Sequence, residues 1–281
     1  MSDPTANAAQ IEYWNDVSGP RWVAAQERLD PMIEGLGLRV MEACAVAQGE
    51  RVVDVGCGCG ATSLALAERV GVDGAVLGVD VSGPMLARAR ERARQAGYAQ
   101  LDFVQADAQL HPFAGDADLV FSRFGVMFFE DPVAAFANLR NAMRVGGRLA
   151  FVCWQSLAAN PWMALPMQVV SAFVEPRPPP EPGAPGPFSL ADADRLRKIL
   201  GAAGFDEIEI ESFAFVQRMG ASVDHALGFL LEGVGAVASS LENADAAARE
   251  GASRALVELL GRHETPRGIE IDSAAWVVQA R

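Results

Sequence analysis

The chain has 281 residues, 51% apolar and 21% charged, which is enough to bury a sizeable core without disulfides or metals and rules out a disordered polymer. Asp and Glu number 36 against 23 Lys and Arg, and the formal net charge of −13 argues against broad electrostatic binding to nucleic acid or an anionic membrane. The four cysteines, Cys44, Cys57, Cys59 and Cys153, are few and irregularly spaced, which suits a reducing compartment.

In chain order, residues 4–48 read as helical, with Trp14, Trp22 and Leu29 on a polar background and a denser apolar stretch over 36–47. The start, MSDPTANAAQ, lacks a basic segment followed by an apolar one. No run of about 18 apolar residues occurs anywhere. The cytoplasm is therefore the expected location, with no membrane partner. RVVDVG (51–56) has the form of a buried parallel strand, followed by a helix over 61–71 and a strand over 75–82. A helix over 83–97, strands over 101–107 and 117–124, a helix over 131–147 and a strand over 148–154 complete an alternation that demands βαβ units and a parallel sheet. Residues 155–190 hold most of the prolines, including PRPPPEPGAPGP (176–187), and read as a long loop whose order is left open. A helix (191–203), an alternating strand (207–219), helices (222–262) and a last strand (269–281) follow.

The segment VVDVGCGCG (52–60) carries the most chemistry. Gly56, Gly58 and Gly60 alternate in the turn after the first strand, where glycine permits positive φ and close approach of a ligand to the backbone. A dinucleotide fingerprint is spaced G-x-G-x-x-G. Here the pattern is D-x-G-x-G-x-G, with Asp54 at the place a pyrophosphate would approach, so a cationic ligand is favoured over a phosphate. Asp80 ends the second strand, where an acid accepts both hydroxyls of an unphosphorylated ribose. Asp107 ends the third. Together the three acids suggest an adenosine compound with a cationic amino-acid end.

VVDVGCGCG, LGVDVS, VQADAQ, DLVFSRFGVMFF and VGGRLAFVCW, in that order and spacing, resemble the class I S-adenosylmethionine-dependent methyltransferases, in particular the small-molecule group related to quinone biosynthesis. The resemblance is strong over about residues 50–154 and topological over 190–281. It implies an α/β fold: a doubly wound, Rossmann-like seven-stranded sheet with an antiparallel last strand, an N-terminal helical lid over 1–48, and a methyltransferase domain over 49–281. Segments 155–190 and 221–265 would cap the substrate, the second as a helical insertion before the last strand. It also implies S-adenosylmethionine as cofactor. Asp54, Gly56, Cys57, Gly58 and Gly60 would hold its methionine end, Asp80 its ribose, Val81 and Met85 the adenine face, Asp107 and Ala108 the adenine edge. Ser122 and Arg123 would face the methyl group.

Other features have plainer readings. Cys57 and Cys59 lack further ligands nearby and read as small loop residues, so no metal is expected. Among the histidines, His111 sits in a loop, whereas His225 lies in the late helical insertion and is the preferred general base, by topology alone. Phe128 and Trp154 fall at strand ends, and with Trp14, Trp22, Trp162 and Arg123 they are candidates for the substrate pocket. Arg88, Arg90, Arg92 and Arg94 spread around a helix and read as solvated surface. SRFG (122–125) replaces the N-P-P-Y-like motif of nucleobase amino-methyltransferases, and it lacks the carboxylates of metal-dependent catechol enzymes. The expected activity is methyl transfer to a small apolar or aromatic molecule, with the acceptor atom (O, C, N or S), the need for a base and the oligomeric state left open. The alternatives are an NAD(P)-dependent oxidoreductase, against which Asp54 counts, and a methyltransferase fold repurposed as a partner subunit or for another reaction.

Overall fold

The computed structural model describes residues 7–175, 181, 183–232 and 234–281. Five strands run parallel: β1 (Arg51–Val55), β2 (Ala75–Asp80), β3 (Leu101–Gln105), β4 (Ala117–Arg123) and β5 (Met143–Trp154). Helices α3 (Ala61–Val70), α4 (Gly83–Ala96) and α5 (Pro132–Ala142) connect β1 to β2, β2 to β3 and β4 to β5, while a loop joins β3 to β4. β8 (Gly268–Ala280) lies antiparallel between β5 and β6 (Glu209–Gly220), so the sheet order is β3-β2-β1-β4-β5-β8-β6. The strand order reverses between β1 and β4. Their carboxyl ends therefore open a crevice from which the chain leaves in opposite directions, the place where doubly wound sheets bind ligands.

The sequence reading gave seven strands. The eighth is β7 (Glu264–Thr265), a two-residue strand turning into β8. A second difference concerns Met143–Gly147, read as the end of α5 but folded as the start of β5. Met143 is already extended and pairs with Ala117 before the register shifts. Gly146 has φ +79°, and a Cβ on Gly147 would meet the Ala117 carbonyl oxygen at 2.8 Å. The two glycines thus form a bulge. In the proline-rich stretch, α6 (Pro161–Val170) is a regular helix that the long-loop reading missed. Part of the 176–187 reading, residues 176–180 and 182, lies outside the described residues.

The N-terminal segment consists of α1 (Ala8–Glu12), a π-helical turn (Tyr13–Val17) and α2 (Ser18–Ala43). With 26 residues, α2 is about 39 Å long. That length lets it serve two cores. Its Leu36, Val40 and Met41 pack with the sheet, whereas Ala25 and Leu29 pack with α6, α8 (Val223–Glu232), α9 (Ala236–Leu241) and α10 (Ala246–Gly261). A bidentate pair anchors the turn after α2: Arg148 meets Glu50 at 2.8 and 2.9 Å while its Nε donates to the Cys44 carbonyl. α7 (Ala193–Ala202) covers the sheet beside α5, starting from an Asp192 cap.

Candidate active site

The glycine loop folds as its composition requires. Gly56, Gly58 and Gly60 all take positive φ (+67°, +55° and +82°), a region that L side chains rarely adopt. Asp54 is fully buried under this loop. Its Oδ2 accepts from Thr62 Oγ1 at 2.7 Å and Ser63 Oγ at 2.6 Å, both in the first turn of α3, and its Oδ1 has no partner among the described residues. Burial pushes the Asp54 carboxyl up to about 6, against the two hydroxyl bonds and the field of Arg123. Arg123, at the end of β4, makes no hydrogen bond or ion pair of its own among the described residues. Its stem runs beneath α2, close to Gly37 and so to Thr62. Burial lowers its pKa, while Asp30, Asp54 and Glu34 work in the other direction.

Asp80 is clamped by backbone. Its Oδ2 accepts from Gly58 N–H at 2.8 Å and its Oδ1 from Ser82 N–H at 2.9 Å. Each carboxylate oxygen offers two lone pairs, so each retains one for a further donor, the requirement of a vicinal diol. Burial raises its pKa. Asp107 Oδ1 accepts from Gln109 N–H, Oδ2 is buried with no hydrogen-bond partner among the described residues, and burial raises this pKa too, against the Gln109 bond and the Asn7 side chain.

The remaining predicted residues divide between lining and support. Cys57 and Cys59 are buried thiols, Cys57 pushed well above the usual value and Cys59 to about 12 by burial. Among the described residues no group of three or more His, Cys, Asp or Glu is arranged to hold a metal. Met85 is buried against Gly58, where a Cβ would come within 2.9 Å of its Cε. The Val81 and Ala108 carbonyls accept from Asn15 and Asn138. Ser122 spends its hydroxyl on the Val55 carbonyl at 2.8 Å, tying β4 to β1 below the loop. His225 is exposed at the start of α8, where its Nδ1 accepts from Ala221 N–H at 3.3 Å. The structure brings it no contact with Asp54 or Arg123.

The aromatic candidates do gather. Trp14 meets Phe128 edge-on at 5.1 Å and Trp22 at 6.1 Å. Trp154 is stacked on Phe124 at 4.3 Å and reaches Trp162 at 5.4 Å and Phe215 at 6.3 Å. Phe124, directly after Arg123, holds φ +70°, a strained value for a bulky residue and of a kind that collects at functional sites.

Several supporting residues had no signal in the sequence. Asn15 donates to the Val81 carbonyl at 2.9 Å and accepts from Gly83 N–H at 3.0 Å, while Ser82 Oγ donates to the Trp14 carbonyl at 2.8 Å. The N-terminal segment is thus stitched to the β2–α4 turn that carries Asp80. Arg92, read as solvated surface, instead donates to the Cys59 carbonyl at 2.8 Å and pairs with Asp30 of α2 at 2.9 Å. Arg88 bonds Gln26 in the same network. A charged side chain on an amphipathic helix looks solvated until another helix covers it, so only the packing of α2 on α4 revealed these roles.

The residues fit an S-adenosyl compound: a buried carboxylate with a spare oxygen, a second carboxylate with one open position on each oxygen, and a glycine cradle. Known proteins agree. The family model described as a methyltransferase domain matches residues 52–147. The demethylmenaquinone methyltransferase of Staphylococcus carnosus is 30% identical over 185 residues, 62% of this chain and 76% of that protein. The aklanonic acid methyltransferase of Streptomyces sp. (strain C5) is 37% identical over 117 residues, 41% of this chain and 53% of that protein, so the chain spans about half of that relative. Among solved structures, the YcgJ protein of Bacillus subtilis superposes with a TM-score of 0.57 at 17% identity, covering 88% of this chain and 97% of that one, a likeness of fold. The chain belongs to the class I S-adenosylmethionine-dependent methyltransferases. Within them it is of the quinone-biosynthesis-like type.

Proposed function

We propose that the protein transfers a methyl group from S-adenosylmethionine to a small apolar or aromatic molecule. The observation that carries this is Asp54: a buried carboxylate with an unpartnered oxygen where a nucleotide-phosphate enzyme would need a positive field. Asp54 and the glycine loop bind the cationic methionine end, Asp80 the ribose, and Asp107 the adenine edge. When bound, the cofactor supplies a methyl group already activated on a sulfonium. The chain's own work is to bind, orient and exclude water. Of the lid expected over 1–48, residues 1–6 lie outside the described residues, and the rest acts through Trp14, Asn15 and Trp22. Arg123, with no hydrogen bond or ion pair among the described residues, holds an anionic oxygen at the methyl-transfer end. Phe128, Trp154 and Trp162 face the acceptor, beneath caps formed by the described parts of 155–190 and 221–265.

Among the described residues no helix is long and apolar enough to cross a membrane. We place the protein in the cytoplasm, acting on a small molecule and not on nucleic acid, in keeping with its net charge of −13. The test is thermal unfolding with S-adenosylhomocysteine, NAD and NADP in turn. A ligand at about 100 times its Kd adds about 2.7 kcal/mol. A stabilisation specific to S-adenosylhomocysteine and lost in Asp80→Ala is expected. Stabilisation by NAD or NADP alone would overturn the reading in favour of a hydride-transfer enzyme. Methylation of no member of an aromatic acceptor panel, despite cofactor binding, would favour a repurposed fold.

A further inference from the structure

Helix α2 packs on α4 without sealing against it. Between them lies a half-open cavity of about 550 Å³, lined by Val23, Ala24, Gln26, Glu27 and Arg28 of α2 and by Arg88 of α4. No residue given to the cofactor or the acceptor lines it. In a chain of net charge −13, a cavity with two guanidiniums on its wall is a local exception. Both have donors to spare. Among the described residues Arg88 uses only its Nε, which donates to Gln26 Oε1 at 3.1 Å, so its two terminal nitrogens stay open. Arg28 meets only Glu232, at 3.7 Å, beyond hydrogen-bond reach.

The Arg88 fork is held in place from behind. Gln26 is 7% exposed, and its Nε2 donates to Asp30 Oδ2 at 2.6 Å, so the amide oxygen is the end that faces Arg88. The same Asp30 oxygen pairs with Arg92 at 2.9 Å, and Arg92 donates at 2.8 Å to the carbonyl of Cys59, which stands between Gly58 and Gly60. Gln26 and Asp30 lie one turn apart on α2, as Arg88 and Arg92 do on α4, so the four interlock along the seam. An arginine anchored through Nε offers its terminal nitrogens as a fork that receives two oxygens of one oxyanion. A second guanidinium, Arg28, favours a doubly charged group, which is a phosphate. Glu27 gives the same wall an acceptor, suited to a hydroxyl of the molecule that carries the phosphate.

We propose that this cavity binds a hydroxylated phosphate monoester, with Arg28 and Arg88 on the phosphate and Glu27 on a hydroxyl, and that Gln26, Asp30 and Arg92 relay its occupancy to the glycine loop. An anion on Arg88 fixes the Gln26 amide, which keeps Asp30 on Arg92 and Arg92 on the Cys59 carbonyl. The loop is then held in its binding shape. The relay rests on the methyltransferase reading, whereas the phosphate site does not.

Titration calorimetry at constant ionic strength tests glycerol 3-phosphate, inorganic phosphate and glycerol on the full chain. Glycerol 3-phosphate is expected to bind with a Kd of about 1 mM or below, and glycerol not at all. Inorganic phosphate, which cannot reach Glu27 with a hydroxyl arm, should bind about 5-fold more weakly. Arg28→Gln and Arg88→Gln each weaken glycerol 3-phosphate about 10-fold or more, the scale of a lost charged hydrogen bond. In phosphate-free buffer Arg28→Gln leaves affinity for S-adenosylhomocysteine unchanged. Saturating glycerol 3-phosphate tightens S-adenosylhomocysteine about 5-fold or more, and by linkage the reverse holds by the same factor. Arg92→Gln keeps the phosphate site and loses that coupling.

Glycerol 3-phosphate binding no tighter than glycerol, or unchanged in both arginine variants, would overturn the site. An S-adenosylhomocysteine affinity that is the same with and without glycerol 3-phosphate would overturn the relay. Should Arg88→Gln lose its fold with the Gln26 bond, Arg28→Gln, on a side chain 41% exposed, decides alone. If the wild-type protein binds no S-adenosylhomocysteine, the methyltransferase reading falls, and the phosphate titration still decides the site.

Discussion

Gly56 and Gly125 touch backbone to backbone: a Cβ on Gly56 would lie 2.5 Å from Gly125 Cα, and one on Gly125 would lie 2.6 Å from Gly56 Cα and from the Val55 carbonyl oxygen. The contact joins the turns after β1 and β4, so the loop that carries the glycine cradle and the one that follows Arg123 have a fixed spacing. Overpacking costs about 1–3 kcal/mol. Gly125→Ala should therefore lower Tm by about 5 °C and weaken S-adenosylhomocysteine binding more than about 10-fold. Gly35→Ala, in α2 with nothing within 4 Å of its Cβ, should instead stabilise the protein by about 0.5–1 kcal/mol. Calorimetry of both variants checks the contrast.

Asp54→Asn should raise stability and weaken binding together. With its carboxyl pushed up to about 6, the folded protein holds a proton on Asp54 at pH values where the unfolded chain has lost it. Stability from this group therefore falls as pH rises from its ordinary value near 3.8 through about 6, and the full cost is present at pH 7.5. The amide removes that cost, so the unliganded Tm at pH 7.5 should rise. It also removes the negative charge that a cationic cofactor end needs. In the wild-type protein, affinity for S-adenosylhomocysteine should fall as the pH drops through about 6, and in Asp54→Asn that dependence should disappear. Titration calorimetry at several pH values measures it.

Arg123→Met should cost activity but not folding. Among the described residues the guanidinium has no hydrogen bond or ion pair to lose, and burial outweighs the attraction of Asp30, Asp54 and Glu34. Tm should hold or rise while methyl transfer falls by about 100-fold or more, the scale on which a lost charge-stabilising donor acts. The same change removes a cation near Asp54, whose carboxyl should then titrate above about 6, a shift visible by carboxyl carbon NMR.

Asn15→Ala should speed release of bound S-adenosylhomocysteine. Asn15 bonds Val81 and Gly83 in the turn beyond Asp80, and losing these bonds frees the N-terminal segment while leaving the sheet intact. At about 0.5–1.5 kcal/mol for each hydrogen bond, dissociation should be about 10-fold faster, with little change in the unliganded Tm. Stopped-flow competition reads the rate directly.

The parallel core and the conformation of the glycine loop were legible in the sequence because their signals are local. An alternating glycine turn needs positive φ wherever it occurs, and an acid at the end of a buried strand has few other reasons to be there. Gly56, Gly58, Gly60, Asp54 and Asp80 all follow from residue type and spacing. Met143–Gly147 misled because a helix end and a bulged strand both use two glycines, and only pairing with Ala117 decides between them. Asn15, Arg92 and Gln217 could not be read, since each is an ordinary surface or core residue until another segment arrives. It took α2 lying on α4 to bring Arg92 and Asp30 together, and α2 beside β6 to give the Gln217 amide the Met32 carbonyl. Backbone geometry is encoded residue by residue, whereas desolvation and hydrogen-bond satisfaction depend on contacts between segments far apart in the chain, so the tertiary structure alone decided them.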